Sequence, residues 1–230
     1  MTDEWEVFLT PHTDDEVIGM AGAITRAHVA KRKTLVVLAT DNRPSARQRR
    51  QFPDRTDLAE CRLVEWRKAM AVLHVDELQE WDAPETEMID DPIRIQRELE
   101  HRLGTLILTR SVIRLHTVIG TDDVHQEVGC GSLSHALCAN AVSRTVAHHS
   151  HVFAILHGVY VYSKDVDQRM VIGALPVTRH DLTSYEWRMK RKAIACYRFS
   201  KDTIGYGYTS VPELFDGADT DSHEYTVELR

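Results

Sequence analysis

The sequence predicts an α/β protein with a Rossmann-like, mostly parallel sheet, helices on both faces, and additional C-terminal strands and a helix. Three observations carry this expectation. Short, continuous apolar runs, of which TLVVLA at 34–39 is the clearest, read as buried strands. Along the first half they alternate with helix-length amphipathic stretches, the pattern of parallel strands joined by crossover helices. Two dense clusters of ionisable residues, PHTDDE at 11–16 and TDDVHQE at 121–127, fall at the carboxyl ends of predicted strands, where such sheets hold ligands.

The elements follow in order. Glu6 to Thr10 (EVFLT) is the first strand, and Asp15 to Lys31 a helix with Val17, Ile18, Ala21, Ile24 and Val29 on its apolar positions. Thr34 to Ala39 is the second strand. Residues 41–55, with Asn, Pro, Ser, Gln and five Arg, read as a solvated, mobile loop at the sheet's active edge. A helix over Asp57 to Leu73 has Leu58, Cys61, Leu63, Val64, Ala69 and Val72 as its apolar residues, and Glu77 to Trp81 is a third strand. Pro92 suits the first position of a helix over Ile93 to Leu103, and Arg114 to Ile119 is a fourth strand. Leu133 to Ala147 is helical, Val152 to Tyr162 is a long strand that Val171 to Pro176 pairs with, and Ser184 to Phe199 is a helix with a basic outer face. The acidic tail from about Glu213 is expected to be weakly ordered. No repeat, low-complexity segment or linker divides the chain, so residues 1–230 read as a single domain.

Composition bounds the function. With 28 basic and 35 acidic residues the net charge is −7, which argues against nucleic acid and anionic membranes as partners. No apolar run approaches the roughly 18–20 residues of a membrane span, and MTDEWEVFL lacks the basic start and apolar core of a signal peptide. Cys61, Cys130, Cys138 and Cys196 show no CxxC spacing, consistent with reduced thiols and a cytoplasmic location. Thirteen His direct attention to metal or proton-transfer chemistry.

PHTDDE admits two readings. In one, Thr13 or Asp14 caps the helix while Asp15 and Glu16 complement its positive end. In the other, His12 and an adjacent carboxylate supply N and O donors of the kind a catalytic zinc takes, and the neighbouring carboxylate removes a proton from a water. A carboxylate at a helix start is favoured in its charged form, so the two readings are compatible.

PHTDDEVIGMAGAI resembles the opening motif of the PIG-L/LmbE-like de-N-acetylases, (A/P)HPDDExxGxGG, with Thr13 in place of Pro and Ala21 in place of a glycine. ATD at 39–41, AECRLVEWRKAMAVLHVDEL at 59–78 and YEWRMKRKAIACYRFS at 185–200 resemble further family segments. The resemblance implies zinc, or another divalent transition metal, on a Rossmann-like fold. It implies an N-acetylated sugar conjugate or related small amide as substrate. His12 and Asp15 would be ligands, Asp14 the general base, and Arg62 and Asp41 substrate contacts. The family's third ligand is a His in an HPDH-like motif, but DVHQEV places Val128 at that position. Three residues stand as replacements: His125 first, His135 second, and Glu127 as an oxygen donor. Glu127 otherwise orients a catalytic imidazole, and whichever of His125 and His135 is off the metal stabilises the oxyanion or protonates the leaving amine. The alternative is a degenerate member that binds a sugar or nucleotide without catalysis. His148, His149 and His151 end a helix, and His157 reads as a core residue. The oligomeric state is left open.

Overall fold

The computed structural model describes residues 3–119, 131–158, 178–200 and 203–229. Seven strands form one sheet: β1 (Glu4–Thr10), β2 (Lys33–Thr40), β3 (Glu77–Ala83), β4 (Ser111–Ile119), β5 (Phe153–Gly158), β6 (Thr178–Asp181) and β9 (His223–Leu229), in the order β3-β2-β1-β4-β5-β9-β6. The five from β3 to β5 are parallel, and β9 runs antiparallel to both its neighbours. β7 (Phe199–Ser200) and β8 (Thr203–Ile204) pair separately. The helices are α1 (Ala21–Val29), α2 (Ala46–Gln51), α3 (Leu58–Val72), α4 (Glu85–Asp90), α5 (Pro92–Thr109), α6 (Gly131–Ala147), α7 (Ser184–Arg198) and α8 (Pro212–Thr220).

The run VFL in β1 is apolar throughout because both faces are covered. Val7 and Leu9 pack with Leu99 and Leu103 of α5 and Ala141 and Val142 of α6. Phe8 points the other way, among Ile24 of α1, Trp66 of α3 and Ile194 of α7. Each such side chain contributes about 1.5–3 kcal/mol by leaving water. The strand order reverses direction between β1 and β4. The crevice beyond their carboxyl ends is therefore the topological switch point, the expected ligand position.

Four expectations need correction. The helix after β1 does not start as an α-helix: Glu16–Met20 forms a π-helical turn that leads into α1. No side chain caps that turn. Thr13 instead donates to Asn42 Oδ1 (2.9 Å), and the Asp15 carboxylate accepts the backbone N–H of His12 (2.9 Å). Within 41–55, the expected loop contains α2, whose Ser45 and Gln48 form a reciprocal capping box. Buried Gln48 also donates to the Tyr206 carbonyl at 2.6 Å, so this segment is tied to the C-terminal part of the chain.

The acidic tail is the fourth. It forms α8 and β9, because its apolar residues face inward while most of its acids face out: Phe215 and Ala218 are buried against α7 and the π-helical turn. Glu224 is the exception. Its buried carboxylate on β9 accepts the backbone N–H groups of Gly22 (2.8 Å) and Ala23 (3.2 Å), capping α1 from the far end of the sequence. A Cβ at position 22 would stand 2.3 Å from Leu182 Cδ2 and 2.8 Å from this carboxylate, so the close approach requires glycine there. The expected strand over 171–176, the end of the strand expected over 152–162, and His125, Glu127 and Val128 lie outside the described residues. No helix among the described residues is long and apolar enough to cross a membrane.

Candidate metal centre

The chain leaves β1 at Thr10 and turns at once, so three consecutive acids, Asp14, Asp15 and Glu16, enter the switch-point crevice. All three are buried, at 6%, 3% and 0% exposure, a placement acidic side chains adopt only with partners. Each finds a different one. Asp15 Oδ2 lies 3.4 Å from His12 Nδ1 and 3.2 Å from His135 Nε2, and these two nitrogens are 3.3 Å apart. Asp14 Oδ2 faces Arg62 at 3.9 Å. Glu16 accepts a hydrogen bond from the Tyr197 hydroxyl.

The first of these groupings fits a metal ion. Donor atoms bound tetrahedrally at ~2.0–2.1 Å stand about 3.3–3.4 Å from one another. The three contacts among His12, Asp15 and His135 fall at 3.2–3.4 Å, the size of one face of such a tetrahedron. His135 is 1% exposed on the first turns of α6, which follows β4 across the switch point. Of the residues weighed as third ligand, this is the one the described structure brings to His12 and Asp15.

Burial opposes charge on His12, yet hydrogen bonds to Asp15 and Glu85 hold its pKa up at about 10. Burial likewise opposes charge on Asp15, but His135 and His12 keep its carboxyl well below the usual carboxylate range. Desolvation and the adjacent Asp15 push Asp14 up, with Arg62 acting in the opposite sense. Glu16 is pushed well above its ordinary value, chiefly by desolvation. The carboxylates of Asp15 and Glu85 that favour a proton on His12 would equally favour a divalent cation.

Arg62, expected as a substrate contact, is buried beside Asp14. Its NH1 group donates to the carbonyls of Asn42 (3.4 Å) and Arg43 (3.2 Å), and NH2 faces Asp14. Asp41 stays half-buried at the rim, where its Oδ1 accepts the Glu85 N–H at 3.5 Å. Two residues near the site were missed from sequence. Glu85 Oε1 is 2.7 Å from His12 Nε2, and Ser134 Oγ is 3.2 Å from the same nitrogen. The one available signal for Glu85 was its position just past the carboxyl end of β3.

A His–Asp–His triangle with two of its members buried, beside a second carboxylate at the switch point of a parallel sheet, defines the class: an α/β protein with a candidate divalent-metal site. The sequence pattern of the GlcNAc-PI de-N-acetylase (PIG-L) family matches residues 7–146, and the chain belongs to this family. No curated protein matches the chain at the sequence level. Among solved structures, a zinc-inhibited teicoplanin deacetylase is similar with TM-score 0.70 and 16% identity, covering 97% of each chain. The 4-carboxy-2-hydroxymuconate hydratase of Pseudomonas putida is similar with TM-score 0.62 and 17% identity, over 99% of this chain and 96% of that one. N,N'-diacetylchitobiose deacetylase of Pyrococcus horikoshii follows at TM-score 0.60 and 17% identity, over 98% and 83%. The likeness at these identities concerns the fold. A hydratase among the neighbours means that the reaction has to be argued from the site.

Proposed function

We propose that this protein is a metal-dependent deacetylase that hydrolyses the amide of an N-acetylated sugar conjugate, with His12, Asp15 and His135 as ligands and Asp14 as general base. The observation that carries the reading is the His12–Asp15–His135 triangle with a second buried carboxylate one residue away. Family membership supports the reaction class, and two structural neighbours are a teicoplanin deacetylase and an N,N'-diacetylchitobiose deacetylase.

A zinc ion held by these donors would supply Lewis acidity toward the amide carbonyl and make a bound water more acidic. The side chains supply the rest. Asp14 takes a proton from the attacking water as the carbon–oxygen bond forms. Arg62, fixed by two backbone carbonyls, holds that carboxylate in place. As the carbon–nitrogen bond breaks, the departing amine receives a proton. We assign that donation to His125, oriented by Glu127, and assign to Asp41 a hydrogen bond to a sugar hydroxyl at the rim.

The test is acetate release from N-acetylglucosamine and N,N'-diacetylchitobiose by the zinc-loaded chain. Asp14→Asn should keep its zinc and lose about 10²–10⁴-fold in kcat. Undiminished hydrolysis in that variant would remove Asp14 as base. No acetate from either compound with the wild-type chain would count against the sugar amide as substrate.

A further inference from the structure

Glu85 belongs to none of the motifs that pointed to the site, yet it makes a short contact to a proposed ligand. It opens α4 immediately after β3, is 7% exposed, and brings Oε1 to 2.7 Å from His12 Nε2. That nitrogen is not the one facing Asp15 and His135, which is Nδ1. An imidazole that offers Nδ1 as a lone pair carries its proton on Nε2, and the nearby carboxylate is the acceptor for that N–H. The bond selects the tautomer and stops rotation of the ring, the two variables that decide where the Nδ1 lone pair points.

The carboxylate is itself held in place. Asp41 at the end of β2 donates its N–H to Ala83 O (3.0 Å) and accepts the Glu85 N–H on Oδ1 (3.5 Å). The turn from β3 into α4 is thus fastened to the neighbouring strand on both sides of Pro84. His12 is anchored through the backbone of β1 and braced across the crevice from β3.

We propose that Glu85 is the positioning residue for His12, fixing its tautomer and ring orientation so that Nδ1 is presented to a metal shared with Asp15 and His135. This rests on the metal-centre reading above. Carboxylate partners of this kind raise ligand basicity, and their loss typically weakens metal affinity 10–100-fold.

The experiment is zinc affinity by chelator competition on the full-length chain, with melting curves as a folding control. Glu85→Ala should bind zinc about 10–100-fold more weakly than wild type. Glu85→Gln is nearly isosteric and keeps an acceptor oxygen but no charge, so its loss should lie near the lower end of that range. At saturating zinc, KM for the amide should stay at the wild-type value in both. Wild-type zinc affinity in both variants would overturn the positioning role, and so would a defect confined to KM, which marks a substrate contact. Should Glu85→Ala fail to fold, Glu85→Gln alone decides. A wild-type chain that takes up no zinc would overturn the metal-centre reading along with this one, whereas tight wild-type binding with indifferent variants removes Glu85 alone.

Discussion

At the carboxyl end of β1, His12, Asp15 and His135 converge beside Asp14 and Glu85. Earlier on the same strand, Glu6 meets His116 of β4 at 3.0 Å, and His116 meets His157 of β5 at 3.0 Å. Both clusters contain two histidines and a buried carboxylate, with only His12 half-buried, yet their electrostatics are opposite. Glu6 is paired with Arg32 and Arg114, and against the opposing cost of burial these cations and His116 pull its carboxyl down to about 2. Burial and neighbouring positive charge push both His116 and His157 below the usual imidazole range. At the switch point the carboxylates outnumber the single guanidinium, and His12 moves upward instead. Donor identity alone therefore does not make a metal site. Three donors must face one point, and the surrounding field must be negative. The Glu6 cluster is instead a chain of hydrogen bonds across three strands.

That contrast can be tested from the structural side. Glu6→Gln strands two guanidiniums and should be the most costly change, about 2–3 kcal/mol by denaturant unfolding. The estimate sits below the ~3–5 kcal/mol of a fully buried pair because Arg32 and Arg114 reach solvent at 25% and 35% exposure. Zinc content should not change. The same substitution predicts a pH signature. A carboxyl held near 2 instead of 4.5 stabilises the fold fully above pH 4.5, and that contribution is lost as pH falls toward 2. The wild-type melting temperature should therefore drop more steeply over that interval than that of Glu6→Gln, and parallel curves would contradict the pairing. The smallest effect is expected from His157→Leu, which deprives His116 Nδ1 of its partner at a cost of about 1 kcal/mol, the low end for a neutral group, and leaves zinc uptake intact.

What was legible in the sequence follows from how far each contact reaches along the chain. His12, Asp14 and Asp15 are neighbours in one turn, so a contiguous motif exposed them, and the strand–helix alternation placed that turn at the carboxyl end of a strand. The parallel order of the first five strands followed from the same alternation. His135 was weighed but ranked behind His125, which follows directly from the predicted strand end, because only the fold shows α6 returning to β1. Glu85, 73 residues from His12, and Glu224, 202 residues from Gly22, act through long-range contacts that leave no local pattern. The tail misled for a related reason. Its acids dominate the composition, while Phe215, Ala218 and Glu224, which fasten it to the core, are spaced too sparsely to stand out.

The central claim is that His12, Asp15 and His135 hold a metal ion whereas the histidines of the Glu6 cluster do not. The direct measurement is zinc per chain, by elemental analysis, in the wild-type protein, His135→Ala and His157→Leu purified identically. The account predicts one zinc in the wild type and in His157→Leu and none in His135→Ala. Equal zinc in the wild type and His135→Ala, or zinc lost only from His157→Leu, would contradict it.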